Sequence, residues 1–484
     1  MTIKDLKPEV VWKNFYGLTQ CPRPSKHEEV VREHLLKWAK EHKVEAFADP
    51  TGNVIMRVPA TPGYENRKGV ILQGHMDMVP QKLSSSSHDF LKDPIETIVD
   101  GDWVKANGTT LGADNGMGVA LAMSVAESKD VKHGPIEVLV TYDEETGMTG
   151  ASNLPAGLLK GDILLNLDSE DEGELCIGCA GGLDAIADFK YEKVRIPAGY
   201  VGYKLIVKGL SGGHSGMDIS LYRANANKLL AHAILPGMEK FGVKLVEFNG
   251  GSLRNAIPFE GEAVVAVPAE GQRGFKRSVN KYFDECKSRF KESDPDMLLT
   301  YEKVKKPVTG IDDKVGLNVI KSIIMCPTNV IRMSQTMQGL TETSINLAVV
   351  RTKNGHVTVA SLMRSAINAS KAELATRVRL IFEAMGAKVK LVGGYPGWVP
   401  KPDMPMIKIM NDTYERMYGR KMDITATHGG LECAILGAKY PNWEMLSIGP
   451  TVRFPHSPDE KCYIPSVQST WEFLKAVLEA VPEK

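Results

Sequence analysis

Four short apolar runs in this chain end on residues that can bind a metal ion or move a proton. Gly69–Gln73 leads into Gly-His-Met-Asp, with His75 and Asp77, and Ile136–Tyr142 leads into Asp143-Glu144-Glu145. Asp162–Leu167 leads to Asp168, and Met445–Ile448 leads through a short loop to His456. A fifth segment, Leu-Gly-Ala-Asp-Asn-Gly-Met-Gly, carries Asp114 just ahead of a helix-like stretch. Imidazole and carboxylate donors without cysteine suit zinc or a similar divalent ion engaged in hydrolysis. In an extended His75-Met-Asp77 the two side chains share one side, so Asp77 can hold the second ring nitrogen of His75. Asp114 reads equally as an ordinary helix N-cap and as a carboxylate that the helix end keeps ionised. On a strand-like backbone Glu144 and Glu145 point to opposite sides, so one can bind a cation while the other accepts a proton. Within the acidic run Asp168–Glu174 only Asp168 abuts an apolar strand, and His456 lies between two prolines that stiffen its loop.

These residues are spread over several hundred positions, and an open α/β sheet, whose strand ends share one edge, can bring them together. Pro8–His42 reads as helices and Val44–Val58 as a strand hairpin around Asp49-Pro-Thr-Gly. From Gly69 to Asp184 strands alternate with helices, Gly116–Ser128 among them, as in a mainly parallel sheet covered on both faces. Beyond Asp184 the pattern changes. Alternating strands (Ala185–Tyr191, Tyr203–Lys208), a helix over Arg223–Leu235, strands Lys244–Asn249 and Glu262–Pro268 and a charged helix Gly274–Glu292 follow one another. A similar succession runs from Leu317 to Leu391. Leu253-Arg-Asn-Ala-Ile-Pro with Ala263–Val267 is set against Thr343-Ser-Ile-Asn-Leu with Val357–Met363 as an internal duplication. The expected fold is α/β: a mainly parallel-sheet catalytic domain covered by helices (1–186 and 398–484), interrupted by an inserted α+β lid domain (187–397). Tandem domains would strand His456 from its partners.

Composition narrows the function classes. The chain has 484 residues, 43% hydrophobic and 24% charged, which is that of a globular protein with more than one core. Lys+Arg and Asp+Glu are both 59, which gives no reason to expect nucleic acid or an anionic membrane as partner. No apolar run reaches the roughly 18 residues of a spanning helix. The first residues lack the apolar stretch of a signal peptide, so a cytoplasmic location is expected. Seven cysteines do not make a disulfide framework, and Cys176-x-x-Cys179 reads as two small residues in a Gly-rich strand or turn.

Taken in order, Gly-His-Met-Asp-Met-Val, Gly-Ala-Asp-Asn-Gly, Asp-Glu-Glu-Thr-Gly, Asn-Leu-Asp and Pro-His-Ser-Pro resemble the motifs of the co-catalytic zinc aminoacylase/carboxypeptidase family of metallopeptidases, nearest its dipeptidase branch, over essentially the whole chain. The resemblance implies two zinc ions, with cobalt or manganese as alternative metals, bridged by Asp114 and a water or hydroxide. It implies that His75 and Asp168 hold one ion and Glu145 and His456 the other, with Asp77 orienting His75 and Glu144 as general base. It also implies substrate contacts from the inserted domain. Ser211-Gly-Gly-His214-Ser-Gly resembles a loop whose His stabilises the oxyanion, and Arg364 resembles an Arg that pairs with a substrate carboxylate. Asn346 resembles a carbonyl-contacting position for which Asn255 competes, Arg351 being a weaker match than Arg364. His428-Gly-Gly430-Leu-Glu432 resembles a Gly-rich loop at the substrate terminus, and its Leu-Glu departs from the Thr-Asp of the deacylases. The implied protein is a homodimeric dipeptidase acting on unblocked dipeptides, Xaa-His included. An N-acyl-amino-acid amidohydrolase and a catalytically silent metal-binding scaffold are the alternatives.

Overall fold

The apolar runs Val70–His75, Ile136–Thr141 and Ile163–Asn166 are strands in which every residue is buried, as expected of parallel strands covered on both faces. A computed structural model of the chain describes residues 2–484. It divides into two units. The first comprises residues up to Gly178, Pro400–Ala426 and Leu431–Lys484; the second comprises Cys179–Val399 and Thr427–Gly430.

The first unit is built on an eight-stranded sheet in the order Glu45–Ala48, Val54–Val58, Ile136–Thr141, Val70–His75, Ile163–Asn166, Glu444–Ser447, Glu174–Cys179, Asp423–Thr427. The four strands from Ile136–Thr141 to Glu444–Ser447 run parallel, and antiparallel pairings flank them. Register aligns their carboxyl ends. His75 lies opposite Thr141, and Asn166 lies opposite both Gln73 and Ser447. The residues just past these ends therefore meet at one edge. The helix Ala113–Glu127 packs on the central strand and is buried almost all round, which is why its sequence shows no polar face. Full burial of each Val, Ile or Leu in this layer contributes about 1.5–3 kcal/mol, so the strand ends are held by a dense core. A small four-stranded sheet (Val452–Arg453, Lys461–Tyr463, Trp103–Ala106, Thr97–Asp100) carries the His456 loop between its first two strands.

The second unit is a nine-stranded sheet with helices on one face, sharing a single core. Its main path runs Leu298–Val304, Tyr200–Lys208, Gly261–Pro268, Lys244–Gly250, Thr341–Lys353, His356–Ser365, Gly181–Lys190, Lys388–Val392. This order is symmetric about its centre. Each half of the path holds four strands and two helices; the second takes its first strand, Gly181–Lys190, from ahead of the first half and adds Asn329–Met333 beside Thr341–Lys353. One half takes Ala226–Lys240 and Gln272–Arg289 as its helices, and the other takes Asp313–Met325 and Asn368–Ala384. Val357–Met363 and Ala263–Val267 occupy equivalent strands, but Leu253–Pro258 is a loop where Thr343–Leu347 is strand, so that part of the expected pairing is out of register.

Three expectations need correction. The second unit starts at Cys179 rather than residue 187, because Gly181–Lys190 pairs along its length with His356–Ser365. It ends at Val399 and also takes in Thr427–Gly430, since the amide of Ala180 donates to the carbonyls of Thr427 and Gly429. The helix expected over Arg223–Leu235 runs from Ala226 to Lys240. Asn225 caps it, accepting from the Lys228 amide, and it continues through Pro236, where the sequence pattern had read a stop. The seven cysteines are buried and form no disulfide among the described residues. Among those residues no helix is long and apolar enough to cross a membrane.

Candidate metal centre

His75 closes its strand with 1% of its surface exposed, and three carboxylates surround its ring. Nε2 lies 3.1 Å from Asp114 Oδ1 and 3.4 Å from Asp168 Oδ1, while Nδ1 faces Asp77 Oδ1 at 3.3 Å. The His456 ring meets the other Asp114 oxygen: Nε2 is 3.1 Å from Oδ2 and 3.0 Å from Glu145 Oε2. Asp114 thus touches two imidazoles, one through each oxygen, and each imidazole has a different second carboxylate.

The two open readings of Asp114 separate, one expectation for Glu144 and Glu145 fails, and each outcome explains the geometry. Asp114 is not the cap of its helix. Gly112 occupies that position at φ 72°, Asp114 keeps a non-helical φ/ψ of −79°/111°, and its carboxylate is committed to the two imidazoles. Glu144 and Glu145 are not on a strand; they open a short helical turn, Glu144–Gly147, after Asp143 at φ 52°. Tertiary bonds set that turn. The Glu144 and Glu145 amides donate to Asp77 Oδ1 and Oδ2 at 3.0 and 3.2 Å. Asp77 therefore holds the His75 ring and the Glu144 segment at once, and Ser25 Oγ adds a bond of 2.8 Å. Asp168 follows its strand as expected, its amide bonded to Asn166 Oδ1.

The electrostatics favour positive charge. Hydrogen bonds from Asp114 and Glu145 outweigh burial and push His456 up to about 11. Burial works against protonation of His75, but Asp168, Asp114 and Asp77 raise it well above its usual range. Asp114 is opposed by burial, yet the two imidazoles hold it far below the ordinary carboxylate range. Glu144 goes the other way: burial first, then Glu145, Asp168 and Glu432, raise it well above its ordinary value. A half-buried carboxylate of raised proton affinity beside a cation-attracting cluster is what a general base at neutral pH requires. Two imidazole nitrogens and three carboxylates match the donor preferences of zinc. Asp168 Oδ1, buried and otherwise without a hydrogen-bond partner, points to the same use.

Several residues without a sequence signal support the site. Arg23 is buried, and its guanidinium donates to the carbonyls of Met76, Asp77 and Gly112. Glu432 is buried under the strand ends, accepts from Gln73 Nε2 at 2.7 Å and Thr141 Oγ1 at 2.5 Å, and is pushed up to about 8 by burial. Arg23 lies outside any motif, and Glu432 stood out only as the end of the Gly-rich loop, with no role toward the metal centre.

The remaining expected residues lie in the second unit. His214 Nδ1 accepts from the Gly216 and Met217 amides, both at 3.3 Å, which assigns the ring proton to Nε2. The loop needs its glycines: Gly213 has φ 122°, and a Cβ there would meet Asp218 and Arg223. Arg364 is buried and donates only to neutral oxygens, Ser215 Oγ and Tyr395 Oη, both at 3.3 Å; among the described residues it has no ion pair. Gly430 lies against the Tyr395 ring, where a Cβ would sit 2.8 Å from its hydroxyl. Asn346 is buried, and its amide is spent on the carbonyls of Arg254 and Ala256, whereas Asn255 is exposed. Arg351 is exposed and bonded to the Gly251 carbonyl.

The family model for peptidase family M20/M25/M40 matches residues 71–480. The chain belongs to this family. As a whole, this peptidase is 42% identical over 482 residues to the cytosol non-specific dipeptidase of Escherichia coli (strain K12), covering 100% of this chain and 99% of that one. Its structure is similar to that of the aminoacylhistidine dipeptidase from Vibrio alginolyticus, with a TM-score of 0.92 and 46% identity over 100% of this chain and 99% of that one. The aminopeptidase PepT of Bacillus cereus shares the fold, at 17% identity and a TM-score of 0.57 over 98% and 99% of the two chains.

Proposed function

We propose that this peptidase is a two-metal dipeptidase that hydrolyses unblocked dipeptides, those ending in histidine included. The observation that carries the reading is the double use of Asp114, one oxygen toward His75 and the other toward His456. His75, Asp168 and Asp114 would hold one divalent ion, and His456, Glu145 and Asp114 the other, zinc being the best match, with cobalt or manganese able to substitute. When bound, such a pair supplies Lewis acidity that polarises a carbonyl and lowers the pKa of a water.

The chain's own groups divide the remaining work. Glu144 takes a proton from the attacking water and returns it to the departing amine, a role its raised proton affinity supports. Asp77 Oδ1, 3.3 Å from His75 Nδ1, favours a proton on that nitrogen, which leaves Nε2 as the ligand atom. From the second unit, His214 Nε2–H donates to the oxygen that becomes negative at the tetrahedral carbon. Arg364, which has no acidic partner of its own, receives the substrate's terminal carboxylate, and Gly430 leaves room for the substrate's end. Asn255 is the better candidate for a carbonyl contact than Asn346, whose amide is already engaged. The names of the full-length relatives support the dipeptide substrate and a cytosolic setting. A homodimer is part of the same reading, to be checked by sedimentation.

The test is metal analysis together with a substrate panel, run before and after chelation. Two ions per chain and chelator-sensitive cleavage of Xaa-His and other free dipeptides are expected. Turnover of N-acetyl or N-succinyl amino acids in their place would make the protein a deacylase, and no turnover at full metal content would leave a silent scaffold.

A further inference from the structure

The first turn of a helix carries amide groups without partners inside the helix. The helix Ala113–Glu127 is kinked at its start, with Asp114 and Asn115 out of helical φ/ψ, and Gly112 ahead of it offers no side chain to the amides of this turn. A residue near the other end of the chain satisfies them. Glu460, 1% exposed, accepts from Leu111 and Gly112 on Oε2 at 2.8 and 2.9 Å, and from Ala113 and Asp114 on Oε1 at 2.7 and 3.2 Å. Four donors on two oxygens use the full acceptor capacity of a carboxylate. Arg23 holds the other side of the same turn. It donates to the Gly112 carbonyl at 2.5 Å and to those of Met76 and Asp77 at 3.0 and 3.1 Å, tying it to the His75–Asp77 segment. Gly112 leaves no room for anything else: a Cβ there would fall 2.9 Å from Met78 Sδ.

Glu460 also closes the loop that carries His456. Its amide donates to the Ser457 carbonyl, and Ser457 Oγ donates to that of Phe454. One seven-residue hairpin loop, 454–460, therefore presents His456 to Asp114 and grips the backbone from which Asp114 projects.

We propose that Glu460 is a positioning residue for the metal pair: by taking the amides of Leu111–Asp114 from outside, it fixes the turn ahead of the kink and leaves the Asp114 carboxylate free to face both imidazoles. An aspartate at the start of a helix otherwise turns its oxygens to the first-turn amides. With the cap supplied by Glu460, both Asp114 oxygens stay available for the bridge. Glutamine at 460 keeps the size but replaces one oxygen with a donor, which opposes two of the four amides. Asp114 is then recruited to its own helix, and the bridge is lost before the fold is. This inference rests on the two-metal reading above.

The experiment uses the full chain stripped of metal and titrated with Co²⁺, followed by calorimetry and visible absorption, with thermal melting as the check on folding. The unaltered chain is expected to take two ions. Glu460→Gln is expected to take the first within threefold of the unaltered affinity and the second at least tenfold more weakly. In an Asp114→Asn background the same substitution should change the remaining affinity less than twofold, because the route through Asp114 is already gone. If Glu460→Gln does not accumulate folded, Glu460→Asp, which keeps the charge and withdraws the oxygens by one methylene, should show the same selective loss. Two ions bound equally tightly by the unaltered and substituted chains would overturn the role of Glu460 alone. So would a loss that persists undiminished in the Asp114→Asn background. Fewer than two ions on the unaltered chain would instead overturn the two-metal reading.

Discussion

Glu144 and Glu145 are neighbours to which we assign opposite duties, and Asp77 binds both of their amides. Glu145 faces His456, while Glu144 is half-buried with its proton affinity raised. Glu144→Gln should lower kcat on a dipeptide by roughly 10²–10⁴-fold while the metal content stays at two per chain, because only the proton acceptor is removed. A full complement of activity in that variant would take Glu144 out of the mechanism. A second residue-scale prediction concerns His428, whose ring accepts or donates at Ser344 Oγ, 2.7 Å away. Burial, with Arg364 and His214 adding to it, pushes His428 down to about 3. The unfolded chain protonates this group near pH 6.5, so it binds the extra proton between the two values and stability falls as pH drops below 6.5. Urea titrations of the chelated protein at pH 7 and pH 5 should show a pH-dependent loss in the unaltered chain larger, by about 2 kcal/mol, than in His428→Gln. Equal slopes would count against a neutral buried His428.

At the scale of elements, close backbone approach sets ligand positions. Gly118 lies where Ala113–Glu127 crosses the strand leading to Asp168, and a Cβ there would collide with the Leu167 carbonyl and the Asn115 amide group. Gly118→Ala should cost roughly 1–3 kcal/mol as overpacking, read from the denaturant midpoint, and should weaken metal binding through displacement of Asp168. Unchanged midpoint and metal affinity would show that the helix can shift freely. Elements were the most legible level of the sequence. The buried strands announced themselves as apolar runs stopped by His75, Asp143 and Asp168, because His75 and Asp168 face the site and Asp143 leads directly into Glu144 and Glu145. Where local pattern and tertiary bonds disagree, the pattern misled. The turn at Glu144 is imposed by Asp77, the helix through Pro236 is sustained by burial of its apolar face, and the cap on Asp114's helix arrives from Glu460. Hydrogen bonds between residues hundreds of positions apart leave no periodic trace in a sequence. In the second unit His214 and Arg364 were legible only through motif resemblance, since a His among glycines and an Arg at a strand end have ordinary explanations.

For the whole molecule, all five proposed ligands belong to the first unit, while the second has a hydrophobic core of its own. Calorimetry should therefore resolve two transitions, of which only the first unit's moves on chelation. Its stabilisation by metal at a hundredfold over Kd is about 2.7 kcal/mol. A chelator that shifts both transitions equally would mean that the units unfold as one.

The strand Glu444–Ser447 lies inside its sheet, between Ile163–Asn166 and Glu174–Cys179, and not at an edge. During synthesis the second unit is complete once residue 430 has emerged. The first sheet still lacks an interior strand then, and His456 and Glu460 are still to come. At about 5–20 residues per second, this leaves a nascent chain with one folded body and one split sheet for a second or more. Chains stalled near residue 440 should yield a protease-resistant core from the second unit and none from the first. The proposed metal ligands are therefore brought together only after the second unit has its core, since His456 is the last of them to be made.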